Sequence, residues 1–137
     1  MPLHPMCTLG VGGPAGHYLG AESLEDVRAG LSWAAARDLP VLILGGGSNL
    51  VIADEGFAGL VLHVGLRGIE ATASGGHVDL RAGAGEEWDP LVGMAVEKGW
   101  AGLECLSGIP GLVGATPIQN VGAYGQDVSQ TIATVRV

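Results

Sequence analysis

Residues 41–50, "VLILGGGSNL", join four apolar residues directly to three glycines. A short and wholly apolar run is typical of a strand buried on both faces of a parallel or mixed sheet. The glycines can adopt positive φ and expose consecutive backbone N–H groups, to which the following serine and asparagine add side-chain donors. The stretch therefore predicts an anion-binding nest at the end of a strand, with a flexible strand-to-loop turn as the alternative.

Two common phosphate motifs do not describe this chain. The loop is not a Walker loop, because no Gly-Lys-Ser/Thr follows it and no lysine precedes Lys98. A second stretch, "GVGGPAG" at residues 10–16, has the G-x-G-x-x-A spacing of a dinucleotide fingerprint. The preceding "LHPMCTL" is not a convincing buried strand, and Pro14 falls where the phosphate-binding helix would begin. A structural loop is the better interpretation of residues 10–16.

The residues around the three glycines predict a lobe in which strands and a helix alternate. Apolar residues recur at helical spacing after Ser23, which predicts a helix over residues 24–37. Ser23 is the expected N-cap, and Asp26 stands at the third helical position. "GLVLHV" at residues 59–64 predicts another strand.

The second half of the chain predicts a more antiparallel arrangement. "GIEATAS" at 68–74 and "HVDLRAG" at 77–83 are separated by two glycines, as in a β-hairpin. Helical spacing returns over residues 87–98, and Gly99 is the expected stop. The closing "IATVRV", residues 132–137, is expected to be a strand, although nothing after it supplies a partner. We therefore expect the sequence to be a fragment.

Composition and charge narrow the class of protein. The formal net charge is −8, with six Lys and Arg against fourteen Asp and Glu. The chain lacks a basic cluster, which argues against nucleic acid as a partner. The sequence has no signal-peptide pattern and no apolar run of membrane-spanning length, so a cytoplasmic protein without a membrane partner is expected. The two cysteines lack CxxC spacing, as expected of a reduced intracellular chain.

Several ionisable and aromatic residues invite a catalytic interpretation, but a structural one is favoured. Glu86 and Glu87 are expected at the N-terminus of the second helix, where negative charge is favourable. The four histidines lack the spacing of a metal site, and no metal is expected. The three tryptophans are expected to pack on or near the two helices.

A third glycine-rich stretch, "GIPGLVGATPIQNVGAYG", covers residues 108–125. Its glycines are spaced by small apolar residues and its two prolines stiffen the path, so a flat ligand could lie against bare backbone. Gln119 and Asn120 could hydrogen-bond the edge of a heteroaromatic ring or satisfy buried backbone groups instead. Tyr124 is the aromatic residue whose place in the loop favours a ligand contact.

The segments "TLGVGGPA", "LGGGSNL" and "LSGIPGLVGATPIQNVGAYG", in this order, resemble the amino-terminal part of the UDP-N-acetylenolpyruvoylglucosamine reductase family. The resemblance runs through nearly all of the chain. It implies an α+β FAD-binding fold of the vanillyl-alcohol-oxidase type, also called the PCMH type. Residues 1–65 would form the lobe with the pyrophosphate loop, and residues 66–137 an incomplete second lobe with the flavin-ring loop. The substrate domain would be absent.

The resemblance also implies which residues hold FAD. The pyrophosphate would lie against Gly45, Gly46, Gly47, Ser48 and Asn49. The isoalloxazine and ribityl parts would be surrounded by Ile109, Pro110, Gly114, Ala115, Thr116, Gln119, Asn120, Gly122, Ala123 and Tyr124.

The family's reaction is part of what the resemblance implies. NADPH reduces FAD, and the flavin delivers hydride to the enolpyruvyl double bond of a UDP-sugar in peptidoglycan precursor synthesis. The family's Tyr-Arg motif, proton-donor serine and late glutamate do not occur before Val137, so no catalytic residue is assigned and the chain alone is expected to be inactive. Two alternatives remain: another FAD-dependent oxidoreductase of the same fold, or a nonenzymatic nucleotide-binding module that uses residues 45–49 alone.

Overall fold

The computed structural model describes all 137 residues, Met1–Val137, in two compact units, Met1–Leu66 and Arg67–Val137. The first unit contains β1 (Ala15–Ala21), α1 (Leu24–Ala35), β2 (Val41–Leu44) and β3 (Phe57–Val64). The second contains β4 (Ile69–Ser74), β5 (His77–Ala82), α2 (Trp88–Glu97), α3 (Thr116–Gln119), β6 (Gly122–Ala123) and β7 (Gln126–Asp127). Single 3₁₀ turns lie at His4–Met6, Glu104–Leu106, Val113–Ala115 and Val128–Gln130. The predicted α+β class is confirmed.

The first unit is built on a three-stranded parallel sheet in the order β1-β3-β2. The central strand, β3, is the one buried on both faces, with Leu60, Val61 and Leu62 at most 3% exposed. β2 was expected to be buried in this way, and that prediction is wrong. β2 lies at the edge of the sheet, because β3 inserts between the two strands that α1 connects, and Ile43 remains 55% exposed.

Alternation along the strands gives the first unit a core on each face of its sheet. On one face, α1 packs on a cluster formed by Ala21, Ala34, Leu60 and Leu62. The opposite face is covered by the amino-terminal residues and by the chain that leads into β3, in a cluster of Leu3, Cys7, Ala15, Leu44, Ile52 and Val61. The sheet is therefore the middle layer of this unit.

The capping box predicted for the first helix is present. The Ser23 hydroxyl accepts a hydrogen bond from the Asp26 N–H, and the Asp26 carboxylate accepts one from the Ser23 N–H. The helix ends at Ala35, two residues before its predicted end. Its last turn closes where Asp38 adopts φ 53° and the Leu39 N–H donates to the Ala34 carbonyl at 3.0 Å.

The second unit confirms the predicted hairpin and the predicted second helix. β4 and β5 pair antiparallel through a two-residue turn in which Gly75 and Gly76 have φ of 55° and 86°. α2 is followed by Gly99 at φ 70°. Trp88 is 3% exposed and its indole N–H donates to the Leu106 carbonyl at 3.0 Å. α2 thereby provides the centre of this unit's core.

Three details differ from the sequence expectations. β1 was not predicted, because "AGHYLGA" contains four glycines and alanines and carries little β-strand propensity. Residues 132–137 were predicted to be a strand but form no regular structure, since none of their backbone groups joins a ladder. Glu86 does not serve the helix N-terminus; its carboxylate accepts from the Gly68 N–H at 2.6 Å and pairs with Arg67 at 3.4 Å.

Candidate functional site

The first glycine loop, residues 45–49, begins at the carboxyl edge of the parallel sheet. β2 ends at Leu44, which pairs with His63 near the end of β3. Ligands of open α/β sheets bind outside the carboxyl ends of the strands, where neighbouring loops diverge. The register therefore places this loop where a parallel sheet can bind an anion.

The third glycine of this loop is required by its contact with the amino-terminal residues. Gly47 is buried and has φ 64°, and a Cβ built there would collide with the carbonyl oxygen of Met6. Its own carbonyl accepts a hydrogen bond from the Thr8 N–H at 3.0 Å. Of the three glycines, which can all adopt positive φ, Gly47 alone does so. The loop is thus anchored at one residue, which argues against the flexible-turn alternative.

The remaining part of the loop faces a cavity of about 380 Å³. This volume lies within the range of about 300 to 1,000 Å³ that is typical of ligand pockets. The lining residues are Pro5, Met6, Cys7, Thr8, Gly45, Gly46 and His63. No backbone N–H of residues 45–49 donates to a backbone acceptor, so these donors are free to bind an anion.

The stretch at residues 10–16 is a structural segment, as predicted, although its last two residues, Ala15 and Gly16, already belong to β1. The Gly13 N–H donates to the Ala53 carbonyl at 2.8 Å, and the Gly13 carbonyl accepts from the Leu3 N–H at 3.0 Å. A Cβ on Gly13 would collide with the carbonyl of Asp54. Gly13 therefore permits close backbone packing and has its own N–H and carbonyl groups bonded within the protein.

In the second unit, the start of the 108–125 stretch is fixed to the beginning of α2. The Asp89 carboxylate accepts hydrogen bonds from the Gly108 N–H at 2.6 Å and the Ser107 hydroxyl at 3.0 Å. The Gly111 carbonyl accepts from the Trp88 N–H at 3.0 Å, and the Val113 N–H donates to the Glu86 carbonyl at 2.8 Å. This part of the stretch is a well-bonded strand-like segment.

Two glycines in this stretch are explained by the protein's own packing. A Cβ on Gly114 would lie 2.7 Å from the Cβ of Ala84. A Cβ on Gly122 would lie 3.1 Å from the Cβ of Asp127, across the β6–β7 hairpin. A Cβ at residue 114 would therefore force Ala84 to move, whereas one at residue 122 would need a shift of only a few tenths of an ångström from Asp127. Ligand contact at these two glycines stays a prediction.

Gln119 and Asn120, the amide pair at the end of α3, were predicted either to bind a ligand or to satisfy backbone groups of the protein, and they differ in this respect. Asn120 has the left-handed conformation, φ 42° and ψ 59°, and its side-chain oxygen accepts from the Ser129 N–H at 3.2 Å. Gln119 is exposed, and its side chain forms no hydrogen bond within the protein. Asn120 therefore has a structural role, whereas Gln119 is free to bind a ligand.

The remaining predicted residues differ in how much of each side chain is accessible. Tyr124 lies in the β6–β7 turn at φ 55° and is 93% exposed. Ile109 and Ala123 pack against the core of the second unit. Thr116 is 5% exposed and its hydroxyl donates to the Val113 carbonyl at 2.8 Å, so its hydrogen-bonding capacity serves the fold. Pro110 and Gly122 are exposed, Gly114 and Ala115 half-buried.

No role was predicted from the sequence for Ile118, which is exposed, or for His63, which lines the cavity. Ile118 is 84% exposed beside the amide pair, which is unusual for a large apolar residue. His63 lines the cavity at the first glycine loop. The sequence offered a sign of the exposure of Ile118, because a large apolar residue beside two amides in a glycine-rich stretch is unusual. His63 reaches the first glycine loop through the register of the sheet, which no local sequence pattern reveals.

The structure also bears on whether the chain has a metal site or a membrane-spanning helix. No group of three or more His, Cys, Asp or Glu side chains could hold a metal ion. None of its helices has the length and apolar character needed to cross a bilayer.

The amino-acid sequence of the chain is similar to that of known flavoproteins and reductases. The FAD binding domain family matches residues 15–137. UDP-N-acetylenolpyruvoylglucosamine reductase of Thermobifida fusca is 50% identical over 138 residues, which span 100% of this chain and 39% of that protein. The same reductase of Saccharopolyspora erythraea is 52% identical over 129 residues, 93% of this chain and 35% of that protein.

The fold comparison agrees. The crystal structure of UDP-N-acetylenolpyruvylglucosamine reductase (MurB) from Thermus caldophilus has a TM-score of 0.70 and 31% identity, covering 93% of this chain and 43% of that one. The chain thus spans less than half the length of the relatives it matches, and it corresponds to their amino-terminal part. The predicted FAD-binding fold and the predicted cofactor, FAD, are both confirmed. The chain belongs to the FAD binding domain family.

Proposed function

We propose that this chain is the cofactor-binding portion of a reductase that uses NADPH to convert UDP-N-acetylglucosamine enolpyruvate to UDP-N-acetylmuramate. The observation that carries the proposal is the 50% identity, over the whole chain, to a protein named UDP-N-acetylenolpyruvoylglucosamine reductase. The protein would act in the cytoplasm, in peptidoglycan precursor synthesis, and so support cell-wall formation, cell shape and division.

The first unit, in this proposal, binds the FAD pyrophosphate. Support comes from the free N–H groups of the loop at the carboxyl edge of the sheet and from the adjoining cavity. The residues assigned are Gly45, Gly46, Gly47, Ser48 and Asn49. Gly47 would act by holding the loop in shape, whereas Gly45 and Gly46 line the cavity and would meet the phosphate oxygens.

The second unit would hold the flavin ring and the ribityl chain. Gln119 and Tyr124 are the best supported contacts, because both are exposed and lack hydrogen-bond partners in the chain. Asn120, Thr116, Gly114 and Gly122 would shape the loop through the packing described above. Ile109, Pro110, Ala115 and Ala123 complete the proposed surface.

The chemistry divides between the cofactor and the protein. Bound FAD supplies hydride transfer, and the protein's share is binding, orientation and electrostatics. We assign this chain the binding of FAD and propose none of its residues as the proton donor. NADPH and the UDP-sugar are the proposed partners of the complete protein.

Two measurements on the full-length protein test the proposal. The purified protein should show a flavin absorption spectrum, or bind added FAD, and should oxidise NADPH when UDP-N-acetylglucosamine enolpyruvate is present. NADPH oxidation supported by a different acceptor alone would assign the chain to another FAD-dependent oxidoreductase. A folded full-length protein that binds no FAD would refute the proposal.

A nonenzymatic nucleotide-binding module is the second candidate. One observation favours it: the cavity and its glycine loop lie entirely within the first unit. Such a module would bind ADP as well as FAD, and its affinity would be unaffected by Gln119→Ala or Tyr124→Ala. The reductase proposal predicts that FAD binding weakens in both variants while ADP binding does not change.

A further inference from the structure

His63 lies beside the first glycine loop, yet the assignments above give it no role. It is the residue before the last in β3. It pairs with Gly20 of β1 and Leu44 of β2, and it lines the cavity with Gly45 and Gly46. Because Leu44 directly precedes Gly45, the register of the sheet brings the imidazole to the loop.

A tyrosine on the neighbouring strand engages one nitrogen of this imidazole. The Tyr18 hydroxyl lies 2.9 Å from Nδ1 of His63. Tyr18 pairs with Val61, and residues two apart share one face of a strand, so the tyrosine and the histidine lie diagonally on the same face of the sheet. Burial raises the pKa of Tyr18, so the phenol keeps its proton at neutral pH.

With Nδ1 engaged, Nε2 is the ring nitrogen that has no hydrogen-bond partner within the protein. When the Tyr18 hydroxyl donates to Nδ1, the neutral ring carries its proton on Nε2. When the ring is protonated, both nitrogens donate and the phenol oxygen accepts. An anion in the cavity favours these two states over the tautomer without an Nε2 proton.

The cavity has few other means of binding negative charge. Of its lining residues, only Cys7 and His63 are ionisable, and His63 is the one that can become a cation. The arginines of the first unit, Arg28 and Arg37, lie on α1 or just after it and do not line the cavity. A hydrogen bond between a cationic donor and a phosphate is about twice as strong as a neutral one.

We propose that His63, oriented by Tyr18, donates a hydrogen bond from Nε2 to the diphosphate that the glycine loop binds. This inference rests on the proposed function, because it takes the FAD diphosphate as the occupant of the cavity. His63 is then a diphosphate-binding residue, and Tyr18 a positioning residue that fixes its tautomer.

The test compares FAD with riboflavin, which has the flavin ring but no phosphate, in the full-length protein. His63→Leu should raise the dissociation constant for FAD by about 10- to 100-fold, the range for a lost hydrogen bond to a charged group. Riboflavin affinity should stay within about twofold, because riboflavin carries no diphosphate to accept a hydrogen bond from His63. His63→Gln, which restores an N–H donor, should recover part of the FAD affinity.

Tyr18→Phe tests the positioning role. We expect a loss of FAD affinity of about 2- to 10-fold, the range for one neutral hydrogen bond, and no further loss when it is combined with His63→Leu. His17→Leu is the matched control, because His17 lies on the same strand as Tyr18 but packs against Trp33, with ring centroids 4.8 Å apart. It should change neither affinity.

The outcomes separate the two proposals. Unchanged FAD affinity in folded His63→Leu and His63→Gln, or an equal loss for FAD and riboflavin, would overturn the role of His63 and leave the reductase proposal standing. If the wild-type protein binds neither FAD nor riboflavin, the reductase proposal fails and the role of His63 fails with it. Should His63→Leu not fold, Tyr18→Phe and His63→Gln decide the matter.

Discussion

The two glycine loops use glycine for different purposes. In the first unit, Gly47 is held against Met6, while Gly45 and Gly46 line a cavity and their N–H groups have no backbone acceptor. In the second unit, Gly114 and Gly122 are packed against the chain itself, and the accessible groups are the side chains of Gln119 and Tyr124. A high glycine content therefore indicates a binding loop only where the backbone donors it exposes remain free.

Of the substitutions that test this difference between the loops, Gly47→Ala should have the greatest effect. The new Cβ collides with a backbone carbonyl at positive φ, which should lower the free energy of unfolding by more than about 3 kcal/mol and abolish FAD binding. Gly10→Ala is the control, because Gly10 has nearly the same φ, 65° against 64°, but no atom within 4 Å of its Cβ position. Denaturant unfolding that shows equal losses for the two variants would contradict the anchoring role of Gly47.

A smaller loss of stability is expected for Gly114→Ala. Its Cβ would lie 2.7 Å from the Cβ of Ala84, and overpacking of this kind costs about 1 to 3 kcal/mol. Ala84→Gly in the same chain should restore part of the loss. Gly93→Ala on the exposed face of α2, where the Cβ meets nothing, should instead raise the free energy of unfolding by about 0.5 to 1 kcal/mol. A thermal melt that shows the same shift for both glycines would refute the packing argument.

Tyr124→Ala should affect binding without affecting folding. The side chain is 93% exposed, so thermal stability should not change, whereas the loss of ring contact should weaken FAD binding by about 2- to 10-fold. Fluorescence titration measures the affinity. Ile118→Ala, at a residue that is 84% exposed in the same unit, shows whether loss of any exposed apolar group has the same effect. Unchanged FAD affinity in Tyr124→Ala would remove the residue from the proposed site.

The smallest effect is expected for a substitution in α1, the helix that packs on one face of the parallel sheet. Hydrogen bonds from Ser23 lower the pKa of Asp26, so its stabilising contribution is present above the ordinary pKa of the carboxyl group and is lost as the pH falls through the lowered value. Asp26→Asn should therefore destabilise the first unit slightly at pH 7 and less at pH 2. Denaturant midpoints at the two pH values measure this difference, and a pH-independent effect would contradict it.

Local signals predicted those parts of the fold that depend on neighbouring residues. Ser23 and Asp26 indicate the start of α1, and the glycine pair indicates the hairpin turn between β4 and β5. Each of these elements is determined within about six residues of sequence. Their types were predicted correctly for that reason, and the end of α1 was misplaced by two residues.

The pairing of strands that lie far apart in the sequence could not be predicted from local sequence patterns. Nothing in "VLILGGGSNL" shows that β2 is an edge strand, because the strand that flanks it comes later in the chain. β1 has too many glycines and alanines to be recognised before its partner is known. The position of His63 in the candidate site depends on both pairings. The glycine loops were instead recognised from their local residue pattern, and the family resemblance added the FAD roles of their residues.

The contact between Met6 and Gly47 bears on how this protein should be cloned. The family match begins at residue 15, yet Leu3 is fully buried in the core and Thr8 is hydrogen-bonded to the glycine loop. An expression clone cut at the family boundary would delete the wall of the cavity together with part of the core, and its failure to bind flavin would be misread as a negative result. Residues 1–14 should therefore be retained in any expression clone.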